Sequence, residues 1–212
     1  MSFASMDRRR WLRGALASSG AMLALPRAIA DPAAVMPIRA LCDSLLGAMR
    51  AGRATPFAQR FTTLAPVIER TFNLLAILQL SVGPSWASLS ADQQATLLTA
   101  FRRYTTANYV NSFDNYTGQR FDVAPDTKAL PNGEQLVQTR IIPASGDPHE
   151  LDYVMRREGG VWKAVDVLAD GSISRVAVQR SDFRRLVSRG GAQALIESLN
   201  QKTSDLSGGA LS

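Results

Sequence analysis

Cysteine and histidine are nearly missing from this chain: Cys42 and His149 are the only ones among 212 residues. A lone cysteine excludes an intramolecular disulfide, so the fold must stand on its own core. One cysteine and one histidine also leave a zinc site short of its usual ligands. A Ser-His-Asp arrangement would have to use His149, and Gly146-Asp147-Pro148-His149 reads as a surface turn. Cys42 falls at helical spacing with Ile38, Leu45 and Leu46, which marks it as a buried structural thiol. No glycine-rich phosphate loop, internal repeat or mid-chain linker is present, and nothing suggests a cofactor site.

What is there begins with an address. Arg8-Arg9-Arg10-Trp11-Leu12-Arg13 resembles a twin-arginine export signal. The apolar run from Gly14 to Leu25 would span only about 18 Å as a helix, against a bilayer core of about 30 Å. Pro26 breaks it, and Ala28-Ile29-Ala30 offers the small-x-small pattern of a cleavage site. Residues 1–30 are therefore expected to be an export signal that delivers the protein to the periplasm. They hold five of the 24 bases and one of the 18 acids, so the net charge falls from +6 to +2 over the remaining 182 residues. That removes the compositional case for nucleic-acid binding. The remainder suits one domain, expected over 31–202, with 203–212 as a flexible tail.

The front half has helical period. Val35 to Met49 repeats apolar residues near 3.6. A second helix starts near Phe57, with Pro66 either kinking it or opening a new one. Asn73 can cap Leu74 to Val82, which is apolar almost all round. Ser90 and Gln93 form a capping box ahead of a helix from Ala91 to about Tyr109. Leu97, Phe101 and Tyr104 make its apolar stripe, with Gln94, Arg102, Arg103 and Thr106 opposite. The period then changes to two around Phe121, Val137–Ile141, Leu151–Met155 and Val161–Leu168. Short turns between these segments make them antiparallel neighbours. Asp182–Ser188 and Ala192–Leu199, divided by Gly190-Gly191, read as closing helices. The expected fold is α+β: N-terminal helices, a curved four-stranded antiparallel sheet with one apolar and one wet face, and C-terminal helices.

Several stretches then meet a known pattern: Leu64-Ala65-Pro66-Val67-Ile68-Glu69-Arg70-Thr71-Phe72, Trp86 with Leu89-Ser90-Ala91-Asp92-Gln93-Gln94, Phe101-Arg102-Arg103-Tyr104 and Phe113-Asp114-Asn115-Tyr116-Thr117-Gly118. Leu151-Asp152-Tyr153, Gly160-Val161-Trp162-Lys163-Ala164-Val165-Asp166-Val167 and the segment from Phe183 to Ile196 follow in order. Together they resemble the MlaC family of periplasmic phospholipid-binding proteins, also called toluene-tolerance auxiliary proteins. Ala76-Ile77-Leu78-Gln79-Leu80-Ser81-Val82-Gly83, with Tyr104-Thr105-Thr106, looks more like the hopanoid-associated branch, HpnM. The resemblance implies an apolar cavity between sheet and helices. It also implies a carrier moving lipid between an outer-membrane lipoprotein and an inner-membrane ABC transporter that bears a mammalian-cell-entry domain protein. It brings no catalytic residues, and a monomer is expected.

The ligand would be a phospholipid or a hopanoid. Burying two sixteen-carbon tails would stabilise the complex by on the order of 20 kcal/mol before costs. The residues expected to line the cavity are Ile77, Leu78, Phe101, Tyr104, Val137, Ile141, Leu151, Tyr153, Met155 and Trp162. Glu at Leu151 or Met155 is expected to abolish lipid retention in a protein that still folds. Two other readings stay open. An isomerase-like enzyme would need a carboxylate in an apolar pocket, for which Asp152 and Asp166 are candidates by position. Alternation turns Asp152 outward if Tyr153 points in, whereas Asp166 shares a face with Trp162 and reads as a hydrogen-bonded structural carboxylate. A ligand-free adaptor would have a dry, filled interior.

Overall fold

The helical half forms where caps and apolar spacing coincide. The computed structural model describes residues 31–211; the expected export signal lies outside the described residues. Helix α1 (Val35–Ala51) buries Ile38, Leu41, Cys42 and Leu45 on one face. Burial pushes the Cys42 thiol up to about 12, so it stays protonated. Helix α2 (Phe57–Thr71) is continuous, with Pro66 inside it. The Asn73 side chain accepts from the Ala76 amide at 2.9 Å and starts α3 (Leu74–Val82). Helix α4 (Ala91–Ser112) opens on the reciprocal Ser90–Gln93 capping box. It packs on α2 as well as α5, which is why Thr106, expected on a polar face, is only 2% exposed.

Helix α5 (Arg175–Ser207) is broken at Gly190–Gly191, where Gly191 has φ 64, so two helical pieces stand where the glycine pair predicts them. The first begins at Arg175 rather than Asp182, and the second runs through Ser207. Thr203 and Ser207 are buried, so the segment expected as a loose tail starts as packed helix.

The sheet is antiparallel, in the order β1 (Arg120–Ala129), β2 (Gln135–Ile142), β3 (His149–Glu158), β4 (Val161–Ala169) and β5 (Ile173–Ser174). Five strands replace the expected four. The fifth has two residues, too few for any alternation to mark, and pairs with β4 across a turn in which Asp170 and Gly171 have positive φ. Helix α1 lies on β1, while α2, α3 and α5 reach β4.

The sequence conceals breaks in the ladder, one of them between Val123 and Thr127 on β1, and two others fix where the candidate carboxylates point. Between β3 and β4, Tyr153 faces Val167 and Val154 faces Asp166, but Met155 faces Ala164, leaving Val165 as an extra residue. This bulge reverses parity along β4. Asp166 therefore does not share a face with Trp162: it pairs with Val154, and Val167 and Ala169 take the inner face. Between β2 and β3, side chains replace part of the ladder. The Thr139 amide donates to Asp152 Oδ1 at 3.2 Å, and the Thr139 hydroxyl donates to the Leu151 carbonyl. Asp152 is thus a structural carboxylate on the opposite face from Tyr153, and it is buried at 4% exposure rather than wet.

Candidate functional site

Helix α4 supplies the wall of a pocket because its inner stripe changes character along its length. Leu97 and Phe101 are apolar and buried, but the stripe continues through Tyr104, Thr105, Asn108 and Ser112. The pocket holds about 230 Å³, between α3, α4, the start of α5 and the strand ends that carry Leu151, Val167 and Ala169. Its floor is buried and apolar: Phe72, Leu74, Ile77, Phe101, Phe113 and Val176. Arg175 and Ser112 are exposed at its rim, and Asn108 and Gln179 are partly buried. Thr105 Oγ1, on the same wall, is buried with no hydrogen-bond partner among the described residues.

An aromatic chain runs from the pocket wall into the packed core. Tyr153 lies 6.2 Å from Phe72, Phe72 5.5 Å from Tyr109, and Tyr109 stacks on Phe113 at 5.9 Å. Tyr109 and Tyr153 both pack against Phe72. Burial raises both phenols above their ordinary range, and raises Tyr104 as well. Arg175 lines the pocket, and its positive charge favours the ionised form of Tyr104 and Tyr109, opposing the effect of burial.

Of the ten residues expected to line a cavity, Ile77, Phe101, Tyr104 and Leu151 lie on this pocket. Leu78, Val137, Tyr153 and Met155 are at most 1% exposed within the filled core beside it. Ile141 packs against that core. Trp162 is farther away, its indole N–H donating to Asp31 Oδ2 at 2.9 Å. Sequence reasoning missed Thr105, Asn108, Ser112 and Arg175. The first three repeat from Phe101 at i+4, i+7 and i+11, a helical stripe that turns polar, and that was the available signal.

Asp166 edges the pocket, yet its oxygens are committed. Oδ1 accepts from the amides of Val167 and Val176 at 2.7 and 3.1 Å, and Oδ2 accepts from the Ser174 hydroxyl. It ties β4 to the start of α5 as a structural carboxylate. The geometry is unlike that of a general base, which needs a carboxylate facing substrate in the apolar pocket. Among the described residues no cluster of His, Cys, Asp and Glu could hold a metal ion, and no helix is long and apolar enough to cross a membrane.

Comparison with known proteins gives a concordant set of matches. The family model described as MlaC protein matches residues 39–201. The intermembrane phospholipid transport system binding protein MlaC of Haemophilus influenzae is 24% identical over 126 residues, 58% of this chain and 58% of that protein. The match thus spans a little over half the length of that relative. A phospholipid-binding protein from Ralstonia solanacearum, solved in complex with a phospholipid, superposes with a TM-score of 0.70 at 20% identity, covering 82% of this chain and 98% of that one.

Proposed function

The chain belongs to the MlaC family, and on that premise we propose that it is a periplasmic lipid carrier, not an enzyme. It holds the acyl chains of a phospholipid, or a hopanoid, in the pocket between α3, α4 and α5. It passes the lipid between an inner-membrane ABC transporter bearing a mammalian-cell-entry domain protein and an outer-membrane lipoprotein. The observation that carries this reading is the pocket's gradient from a buried apolar floor to a polar, exposed rim. An acyl chain gains about 0.8 kcal/mol per buried methylene, while a headgroup needs only water and a few polar groups. The names of the Haemophilus and Ralstonia proteins support the same ligand class.

The pocket's 230 Å³ lies below the roughly 300–1,000 Å³ typical of ligand pockets. Seating acyl chains there requires the pocket to widen, and Phe101 on its floor meets Phe183 of α5 edge-on at 6.0 Å. The test is native mass spectrometry of the mature protein, purified from a bacterial periplasm without detergent. A stoichiometric mass increment that extracts into organic solvent is the expected result. A bare protein that also takes nothing from phospholipid vesicles or hopanoid extracts would overturn the reading.

A further inference from the structure

Charge is unevenly placed along this chain. Residues 31–212 net +2, yet the seventeen residues from Ile173 to Arg189 hold Arg175, Arg180, Arg184, Arg185 and Arg189 against one acid, Asp182. That segment nets +4, so the rest of 31–212 nets −2. Arg175, Val178, Asp182, Arg185 and Arg189 are spaced at i, i+3, i+7, i+10 and i+14 of α5, so they share one side of the helix, and all five are exposed. Val176 and Phe183, on the other side, are buried. Asp182 pairs with Arg185 at 3.3 Å, while Arg175 and Arg189 take part in none of the ion pairs among the described residues. Arg180, on the flank, donates to the Leu80 carbonyl and keeps its charge. Two apolar side chains stand out beside these guanidinium groups: Ile173 is 51% exposed and Val178 53%. The stripe begins at the pocket, because Arg175 is on its rim and Ile173 pairs with Ala169, which lines it.

We propose that this side of α5, together with Ile173, is a docking surface for an anionic bilayer, and that it turns the mouth of the pocket toward the membrane. The stripe extends over about 21 Å of helix. Its charges stand on long side chains along a convex surface, which suits a fluid sheet of anionic headgroups; a folded acidic partner would need a shaped, complementary contact. The apolar side of this helix is spent on the protein's own core, so α5 rests on the surface rather than sinking into it. Ile173 and Val178 then reach only the headgroup level. The outer sheet groove is lined by Asp122, Glu150 and Asp152 against Arg140 alone, an acidic balance that anionic headgroups repel. Attraction at α5 and repulsion at the sheet together set the orientation. The inference goes beyond the carrier reading, since only Arg175 belongs to both the stripe and the pocket.

The test is co-sedimentation of the mature protein with vesicles of phosphatidylcholine, alone or mixed in equal parts with phosphatidylglycerol. Wild type should bind the mixed vesicles at low salt, lose them as salt rises, and ignore pure phosphatidylcholine. An arginine near an anionic surface contributes about fivefold in affinity, so Arg185→Gln with Arg189→Gln should weaken binding by about 25-fold. Neither residue lines the pocket, so lipid occupancy by native mass spectrometry should stay at the wild-type level. Lys128→Gln with Arg157→Gln removes the same charge from exposed positions on the sheet and should leave vesicle binding unchanged. Equal loss from both pairs would mean that net charge alone acts, and would overturn the proposal. Wild type that binds neither kind of vesicle, or both alike, would also overturn it; that arm needs no variant to fold, and it leaves the carrier reading standing if the pocket holds lipid. Salt-sensitive vesicle binding by a protein that never holds lipid would support the docking surface and sink the carrier reading.

Discussion

Ile77 and Leu78 are neighbours on α3, yet one faces the pocket and the other the packed core. The two regions share the same helices, sheet and kind of apolar side chain. They differ in what meets those side chains. In the core, Leu78, Val137, Tyr153 and Met155 are closed off from solvent. At the pocket, α4 presents Thr105, Asn108 and Ser112 where close packing would need large apolar groups. Hydrophobicity marks both regions, and only the polar interruptions mark which one stays open.

The largest effect that sharpens this comparison is a buried charge. Met155→Glu places an unpaired carboxylate at a fully buried site, costing several kcal/mol against a typical domain stability of about 5–15 kcal/mol. It should prevent folding, as read by circular dichroism and solubility. Leu151→Glu, at the partly exposed pocket wall, should fold and lose its lipid. The sequence makes these two substitutions equivalent; the structure separates them. Next in size, Leu78→Ala should cost about 2–5 kcal/mol, whereas Ile77→Ala should cost under half as much, because Ile77 already borders open space. Urea midpoints with unchanged slopes would measure the gap, and equal losses would erase the distinction between core and pocket. Ser90→Ala should cost about 1 kcal/mol through the lost α4 cap and leave lipid occupancy unchanged.

The smallest effect lies at the far end of the molecule. The Trp162 indole, and then the Ala33 amide, hold the Asp31 carboxyl below its ordinary value of 3.8. A depressed folded value means the contact's stabilisation is complete above about pH 3.8 and is lost as pH falls through the lower folded value. Trp162 emission, isolated by difference from Trp162→Phe, should shift only in that acid window. A shift centred above it would contradict the assignment.

The helices were legible because caps and spacing agree. Asn73 and Ser90 start α3 and α4 where their side chains predict, and Gly190-Gly191 breaks α5. The sheet was legible except where its ladder is irregular. A bulge at Val165 leaves the sequence alternation intact while reversing which side chains face inward, so Asp166 is misplaced by parity alone. β5 is too short to carry a pattern. The pocket was harder to read, because lining and core residues are chemically alike. Four of ten expected residues reached it, and the polar lining residues Thr105, Asn108 and Ser112 were not among those expected.

Where the lipid sits is the central claim, and photo-crosslinking tests it most directly. The mature protein would be loaded with a phospholipid carrying a diazirine near the end of one acyl chain, irradiated, digested and mapped by mass spectrometry. Label is predicted on the peptides of Phe72–Leu78 and Phe101–Phe113, the floor and wall of the pocket. Label confined to the outer sheet groove of Asp122, Arg140 and Asp152 would contradict the account.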